Sequence, residues 1–465
     1  MMSEREPGGA RTHMYSEPHH EANGATPGES LEILSSVLLP TVARGAIVRR
    51  PAGEALVTAT DSDRRLVSTL RALRARHGDD PLPLRYMGRR IALVLAAEDV
   101  RVLLRGTPDP FSPGGAEKRG ALSHFQPHGV LVSTQGDRPH RREANEHALA
   151  LGRSPHPEAR AIAAHADEEA RALVAALRNA GSLDGVLDWA RFSRSFDALA
   201  RRVVFGAFAA RDRRTTELLR RLRARANWSY LAPLDRSARS SFLERVRANI
   251  ERADPDALAA RLGRPGAEER PEDQVAHWLF AFDAAAIATF RALALSTSQG
   301  TVAEAVRAEG RTEDGVDLPL LRATLRESVR LWPTTLVVIR ESLRATTWRE
   351  RTIEPGTAFL VMSGYFHRDS TRLSYADSFE PAIWTDGRAE HEPAILPFSH
   401  GPAGCPGRDL VPLTVSFFLR ALLRGGPLHR VDEAPPLRPH ELPASLDHFT
   451  LRFSYQGTAQ GGIDV

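Results

Sequence analysis

The chain has one cysteine, Cys405, in the stretch Pro-Phe-Ser-His-Gly-Pro-Ala-Gly-Cys-Pro-Gly-Arg at residues 397–408. A lone thiol forms no internal disulfide and builds no cysteine-only metal cluster, so any chemistry at sulfur rests on this residue. The apolar run LVPLTVSFFLRALL that follows predicts a helix, with the thiol at its N-terminus. Exposed N–H groups and the helix dipole favour a thiolate there, and the glycines allow a flat, bulky group to approach the backbone. Upstream, LRESVRLWP places Glu327 and Arg330 at i and i+3, the spacing of a helical ion pair. A third chemically notable residue is Asp283, a carboxylate in an otherwise apolar stretch.

The element carrying Asp283 is predicted as a helix over 271–299, bounded by Pro271 and Gly300, with neither residue type between them. At 1.5 Å per residue it is about 42 Å long. Residues 275–295 are apolar almost all round, interrupted by His277, Asp283, Thr289 and Arg291, so the helix is expected to run through the middle of the protein. Three ionisable residues within one span argue against a membrane crossing. A buried carboxylate costs several kcal/mol unless paired, hydrated or functional. For Asp283 a salt bridge to a nearby arginine answers that cost as well as a functional role does.

Elsewhere the apolar spacing is mainly helical, as in ELLRRLRAR with Leu218, Leu219 and Leu222. Short strands are expected at 336–339, after the Pro333 break, and at 358–362, after Glu354-Pro355-Gly356. Residues 1–30 are polar, without an apolar run that could serve as signal peptide or anchor, and are expected to be a disordered tail; residues 31–465 are expected to form one domain. The chain has 465 residues, 42% hydrophobic and 26% charged, a soluble core-forming composition. Its net charge of +4 comes from 61 Arg and a single Lys, Lys118, against 58 acids. Interleaved arginine with almost no lysine has the look of a genome-wide codon bias, so no nucleic-acid partner is expected.

Phe398, Gly401, Cys405 and Gly407 together resemble the FxxGxxxCxG signature of the cytochrome P450 family, and Glu327 with Arg330 resembles its ExxR pair. The two motifs occur in the family's order, 78 residues apart. The resemblance implies a mainly α fold, many helices around a buried haem with small β-sheets, and haem b (iron protoporphyrin IX) bound through the Cys405 thiolate. Arg340 resembles the arginine that binds one haem propionate, and His140 in GDRPHRRE the histidine of the helix crossing the other. Phe366-His367-Arg368-Asp369 and Phe379-x-Pro381-x-x-Trp384 resemble the segments leading to the cysteine loop.

The chain departs from the family pattern at several positions. Four residues after His140 stands Ala144, which leaves Arg141 or Arg142 as the basic partner; Arg142 is taken as a cofactor contact. Two residues before the cysteine stands Ala403, with His400 as the nearby substitute. The meander arginine that completes the ExxR network is replaced by Ile383, with Arg388 as a candidate stand-in. The family's acid–threonine pair for proton delivery is not intact. Aligning Thr289 with the threonine puts Ala288 at the acid position, whereas an ungapped count from the helix end puts Asp283 and Ala284 at the acid and threonine positions. The second register is preferred because it also accounts for the carboxylate.

The resemblance implies a monooxygenase-type oxidoreductase acting on a bulky, mostly apolar small molecule, as in a tailoring step of bacterial secondary metabolism. Electrons would come from a separate ferredoxin or flavodoxin and its reductase, since about 60 residues follow the cysteine. A cytoplasmic monomer without membrane contact is expected. Without the threonine hydroxyl, a peroxygenase, radical-coupling enzyme, dehydratase or isomerase stays open as an alternative, and a non-catalytic activating partner is a second. Pocket walls in the family imply the Trp228 and Tyr230 region and Phe282 as substrate contacts.

Overall fold

The computed structural model describes residues 24–455, apart from 87, 134–135, 180–184, 230–231, 263–268, 313–314, 316 and 350. Tyr230 and the tail through residue 23 therefore lie outside the described residues. The tail expected over 1–30 is shorter at its far end, because a helix begins at Pro27. Thr26 caps it by accepting from the Glu29 N–H, while the Glu29 carboxylate accepts from the Thr26 N–H. Both groups satisfy backbone donors that a helix start otherwise leaves open.

The fold is mainly helical with three small sheets. The central helix runs from Pro271 to Ser296, stopping three residues short of the expected end. It is long and apolar enough to cross a membrane, but most of its apolar stretch is buried inside the protein. Phe290 packs edge-on against Phe453 and near Phe192, and Arg291 is buried with its Nε donating to the Leu446 carbonyl. The larger hydrophobic core forms around this helix and the Pro319–Leu331 and Leu410–Arg424 helices.

A second core lies under a five-stranded sheet. Its spatial order is Leu82–Tyr86, Arg89–Leu93, Ala358–Met362, Val337–Ser342, Phe111–Ser112. Strand Ala358–Met362 is buried at every position because it lies inside the sheet, with helices over it. The alternating burial of Val337–Ser342 turns the Val338 and Arg340 side chains to one face, and register places Arg340 opposite Phe359. Both expected strands are present, the first displaced by one residue at its start and extended to Ser342.

Candidate functional site

The cysteine loop is held on two sides. Gly401 has φ +70°, and a Cβ there would stand 2.2 Å from the Leu104 carbonyl oxygen at the end of the Ala97–Arg105 helix. Only glycine meets both conditions. On the other side, Arg142 donates to the Gly404 carbonyl at 2.7 Å. The Cys405 N–H donates to the Phe398 carbonyl at 2.8 Å, which closes the loop. The thiol is not at a helix N-terminus as the sequence suggests: four turn residues intervene and the helix starts at Leu410. Burial raises the thiol above its ordinary range, while the Gly407 backbone N–H and the charges of Arg142 and Arg408 pull it back. The Gly407 backbone thus supports negative charge on sulfur, whereas its missing side chain is not required by the protein itself, since a Cβ would make only ordinary contacts.

Behind the loop the Glu327–Arg330 pair is fully buried. Arg330 Nε and Nη2 donate to the two Glu327 oxygens at 2.7 and 2.8 Å. Glu327 also accepts from the Glu380 N–H and from Trp384 Nε1, each at 2.9 Å. Arg330 donates further to the carbonyls of Ala376 and Ser378. The missing meander arginine is therefore replaced by the Trp384 indole. Arg388, the stand-in suggested by the sequence, is at the surface and pairs with Glu380 and Asp386. His367 adds a tie from the cysteine-loop approach: its Nδ1–H donates to the Arg330 carbonyl and its Nε2 accepts from the Leu396 N–H at 2.8 Å. Burial and the nearby Arg330 charge push this ring down to about 3, so it is neutral.

His140 does not face the interior. It is exposed on the Arg138–Ala148 helix, and Arg138 and Arg142, one turn apart, point inward instead. Arg138 is 5% exposed and donates to the Val130 carbonyl, while its Nη2 is buried without a partner. The helix phase decides this: Arg138, Arg141, Arg142 and Asn145 form the inner stripe at i, i+3, i+4 and i+7, and His140 falls opposite. His400 is likewise displaced from its expected role. Its Nε2 meets the Ile395 carbonyl at 2.8 Å, and the residue is exposed on the His367 side of the loop. Ala403 is buried and contributes no charge.

Arg340 is buried, with Nε on the Thr107 hydroxyl at 3.0 Å and Nη1 on the Ile339 carbonyl at 2.9 Å. No carboxylate lies within 4 Å of Arg138 or Arg340 among the described residues. Burial pushes both guanidiniums down to about 10, and the charge of Arg138 adds to the effect on Arg340. Two buried cations with no acid within 4 Å among the described residues are costly for the protein to hold.

On the central helix, residues that keep accessible surface in mid-helix are His277, Phe280, Ala281, Asp283 and Ala284. Four of them, His277, Phe280, Ala281 and Ala284, share one partly accessible face of the helix. One turn further on, that face closes against the Pro319–Leu331 helix, where Ser328 Oγ donates to the Ala288 carbonyl. Thr289 is on a different face, fully buried, with its hydroxyl donating to its own helix at Ala285. Asp283 sits beside the open face but is ion-paired with Arg223 from the Arg213–Ala226 helix. Arg223 also lies over the Phe280 ring and donates to the Ile47 carbonyl. Phe282 faces the core near Phe196, and Trp228 is an exposed ring under Arg50.

The arrangement suits a planar metal macrocycle with anionic side chains. The half-buried thiol could ligate a metal held by such a group, and Arg138, one helix turn from the Arg142 that touches the cysteine loop, is a buried cation with no acid within 4 Å among the described residues. No cluster of three metal-ligating side chains occurs among the described residues.

Comparison with known proteins agrees. Residues 300–441 match the Cytochrome P450 family model. Solved P450 structures share the fold across most of the chain. A retinoic acid-bound cyanobacterial CYP120A1 superposes with TM-score 0.65 at 17% identity, covering 83% of this chain and 93% of its own. CYP175A1 from Thermus thermophillus does so with TM-score 0.63 at 21% identity, covering 87% and 98%. The fold is the cytochrome P450 fold, and the region from the end of the central helix through the cysteine loop carries the family's sequence pattern. Among curated proteins, dimethylnonatriene synthase of Arabidopsis thaliana is 32% identical over 26% of this chain and 24% of its own length. Cyclooctat-9-en-7-ol 5-monooxygenase of Streptomyces melanosporofaciens is 31% identical over 25% and 26%. The chain thus spans about a quarter of the length of these curated relatives.

Proposed function

We propose that this protein is a haem-thiolate oxidoreductase of the monooxygenase type, in which Cys405 would ligate the iron of haem b and Arg138 and Arg340 would hold its propionates. The observation that carries the reading is the pairing of a lone thiol, in its closed loop, with nearby buried cations that have no acid. When bound, haem would supply dioxygen activation, with the thiolate donating electron density to favour O–O cleavage. The chain's own residues do the rest. The Gly407 N–H and the Arg142 charge stabilise negative charge on sulfur. Phe280, Ala281 and Ala284 offer an apolar wall to a bulky, mostly apolar small molecule and exclude water from it.

Asp283 and Ala284 occupy the acid and threonine positions of the proton-delivery segment in this reading, and Thr289 has only a structural role. Electrons come from a separate ferredoxin or flavodoxin with its reductase, in a cytoplasmic monomer. The setting is a tailoring step of bacterial secondary metabolism, and a bacterial relative whose name specifies a 5-monooxygenase supports it.

A second reading is favoured by one observation. The Asp283 carboxylate is tied to Arg223, Ala284 has no hydroxyl, and the Thr289 hydroxyl is committed to its helix, so this face of the helix offers no free carboxyl–hydroxyl pair. A reaction driven by peroxide, or one needing no reductase, requires less of such a relay. The intact Glu327–Arg330 network and thiol weigh against a non-catalytic partner.

The test is the ferrous-CO difference spectrum, followed by substrate-library turnover with ferredoxin, reductase and NAD(P)H, or with peroxide. A thiolate-type Soret band that is lost in Cys405→Ala is expected. Wild-type protein without that band would refute the haem-thiolate reading, and turnover supported by peroxide alone would select the second reading.

A further inference from the structure

Lys118 is the chain's one lysine among 61 arginines, and it sits beside the two uncompensated guanidiniums. It projects from the short Ala116–Leu122 helix, and its Nζ donates to the Pro113 carbonyl at 3.0 Å and the Ile339 carbonyl at 3.3 Å. The same Ile339 oxygen accepts from Arg340 Nη1, so two cations share one carbonyl. Of the acids nearest in sequence, Glu117 pairs with Arg89 through Oε1, while its Oε2 is buried without a partner, and Glu341 accepts from the Ala116 N–H. No acid within 4 Å of Lys118 occurs among the described residues.

We propose that Lys118 is a third carboxylate-binding residue of this site, acting with Arg138 and Arg340 on the anionic edge of the tetrapyrrole; the inference rests on the haem reading above. An ammonium has three donors, and two are spent on carbonyls, which leaves one for an anion. A third buried cation beside two others fits a ligand that brings two carboxylates among them. The residue type fits as well. A compact point charge with rotatable donors can share a carbonyl with a guanidinium, where a second planar fork would crowd it. Unlike arginine, lysine can shed its charge while the site is empty. Burial and the charges of Arg340 and Arg138 push it down to about 7, and an incoming carboxylate restores the proton.

The experiment compares wild type, K118M and K118R as holoproteins, following haem loss to excess apo-globin by absorbance, with thermal melting as the check on folding. The same measurement is made on protein reconstituted with the dimethyl ester of haem, which has no carboxylates. Loss roughly 10- to 100-fold faster in K118M, a rate between that and wild type in K118R, whose fork keeps the charge but crowds the shared carbonyl, and equal rates for all three with the ester are expected. If K118M retains haem as wild type does, with an unchanged thiolate-type spectrum, the role of Lys118 is overturned while the haem reading stands. Equally accelerated loss of haem and of its ester would also overturn it, since pocket damage and not carboxylate binding would be the cause. A wild-type protein that holds no haem and takes none up removes both.

Discussion

Two regions of this molecule bury charge in opposite ways. Around Glu327 and Arg330 every oxygen of the carboxylate and most guanidinium hydrogens have a protein partner. Around Arg138, Arg340 and Lys118 the cations have carbonyls and a hydroxyl, and among the described residues no acid within 4 Å. The first region is complete without a ligand and holds the backbone of the cysteine-loop approach. The second is held in place by surrounding packing and is electrostatically unfinished. A buried charge balanced within the protein marks scaffold, and one left unbalanced marks where something else is meant to bind.

Substitutions in the two regions should therefore part company. Glu327→Ala strands a buried guanidinium and should cost about 3–5 kcal/mol, read as a lower urea midpoint or a loss of folded protein. A variant of wild-type stability would dissolve the contrast. Arg340→Met should do the reverse. It should leave the haem-free protein as stable as wild type or slightly more so, while haem affinity falls roughly 10- to 100-fold. Equal destabilisation of the haem-free protein in both variants would show that both regions are scaffold.

The balanced region should also be sensitive to acid. The folded pKa of His367 is about 3 and the unfolded value near 6.5, so between these limits the native state holds fewer protons. Its contribution is full above about pH 6.5 and is lost as pH falls towards 3, at up to about 1.4 kcal/mol per pH unit. His367→Gln should flatten that limb of a stability–pH curve, and an unaltered slope would assign acid sensitivity elsewhere. Trp384→Phe removes one hydrogen bond to Glu327 and should cost about 1–2 kcal/mol by chemical denaturation. Smallest of all, Asp283→Asn should change stability by less than about 1 kcal/mol, because this carboxylate is partly solvated. Its effect on dioxygen-driven turnover, compared with peroxide-driven turnover, separates a proton-delivery role from a plain salt bridge.

The balanced region was largely legible in the sequence. Cys405, Gly401 and Phe398 fall within eight residues, Glu327 and Arg330 within four, and backbone spacing alone brings such neighbours together. What failed there was the stand-in for the meander arginine, because a tryptophan N–H does the same work as a guanidinium and no cation pattern reveals it. The unbalanced region was harder. Arg340 lies buried within the strand Val337–Ser342, whereas His140, named from the family resemblance, is exposed on its helix and Arg138 carries no motif that singles it out. The spacing of Arg138, Arg141, Arg142 and Asn145 was visible, yet only packing against the loop at Val130 and Gly404 tells which way it turns. Lys118 had one signal, its singularity, which composition recorded and position alone could explain. On the central helix Ala284 lies on the partly accessible face with Asp283 beside it, and the pairing of Asp283 with Arg223 depends on a contact 60 residues away in sequence.

The contact of Gly401 with the Leu104 carbonyl has a consequence for how this chain can drift over generations. Any other residue at 401 meets two separate penalties, a disfavoured backbone angle and an overlap with a carbonyl 297 positions earlier, and no second substitution in the loop relieves both. Relief would need the end of the Ala97–Arg105 helix to shift as well. The distance between two segments far apart in the chain is thus held by the absence of a single carbon atom, and the surrounding sequence is free to vary only as long as that gap is kept.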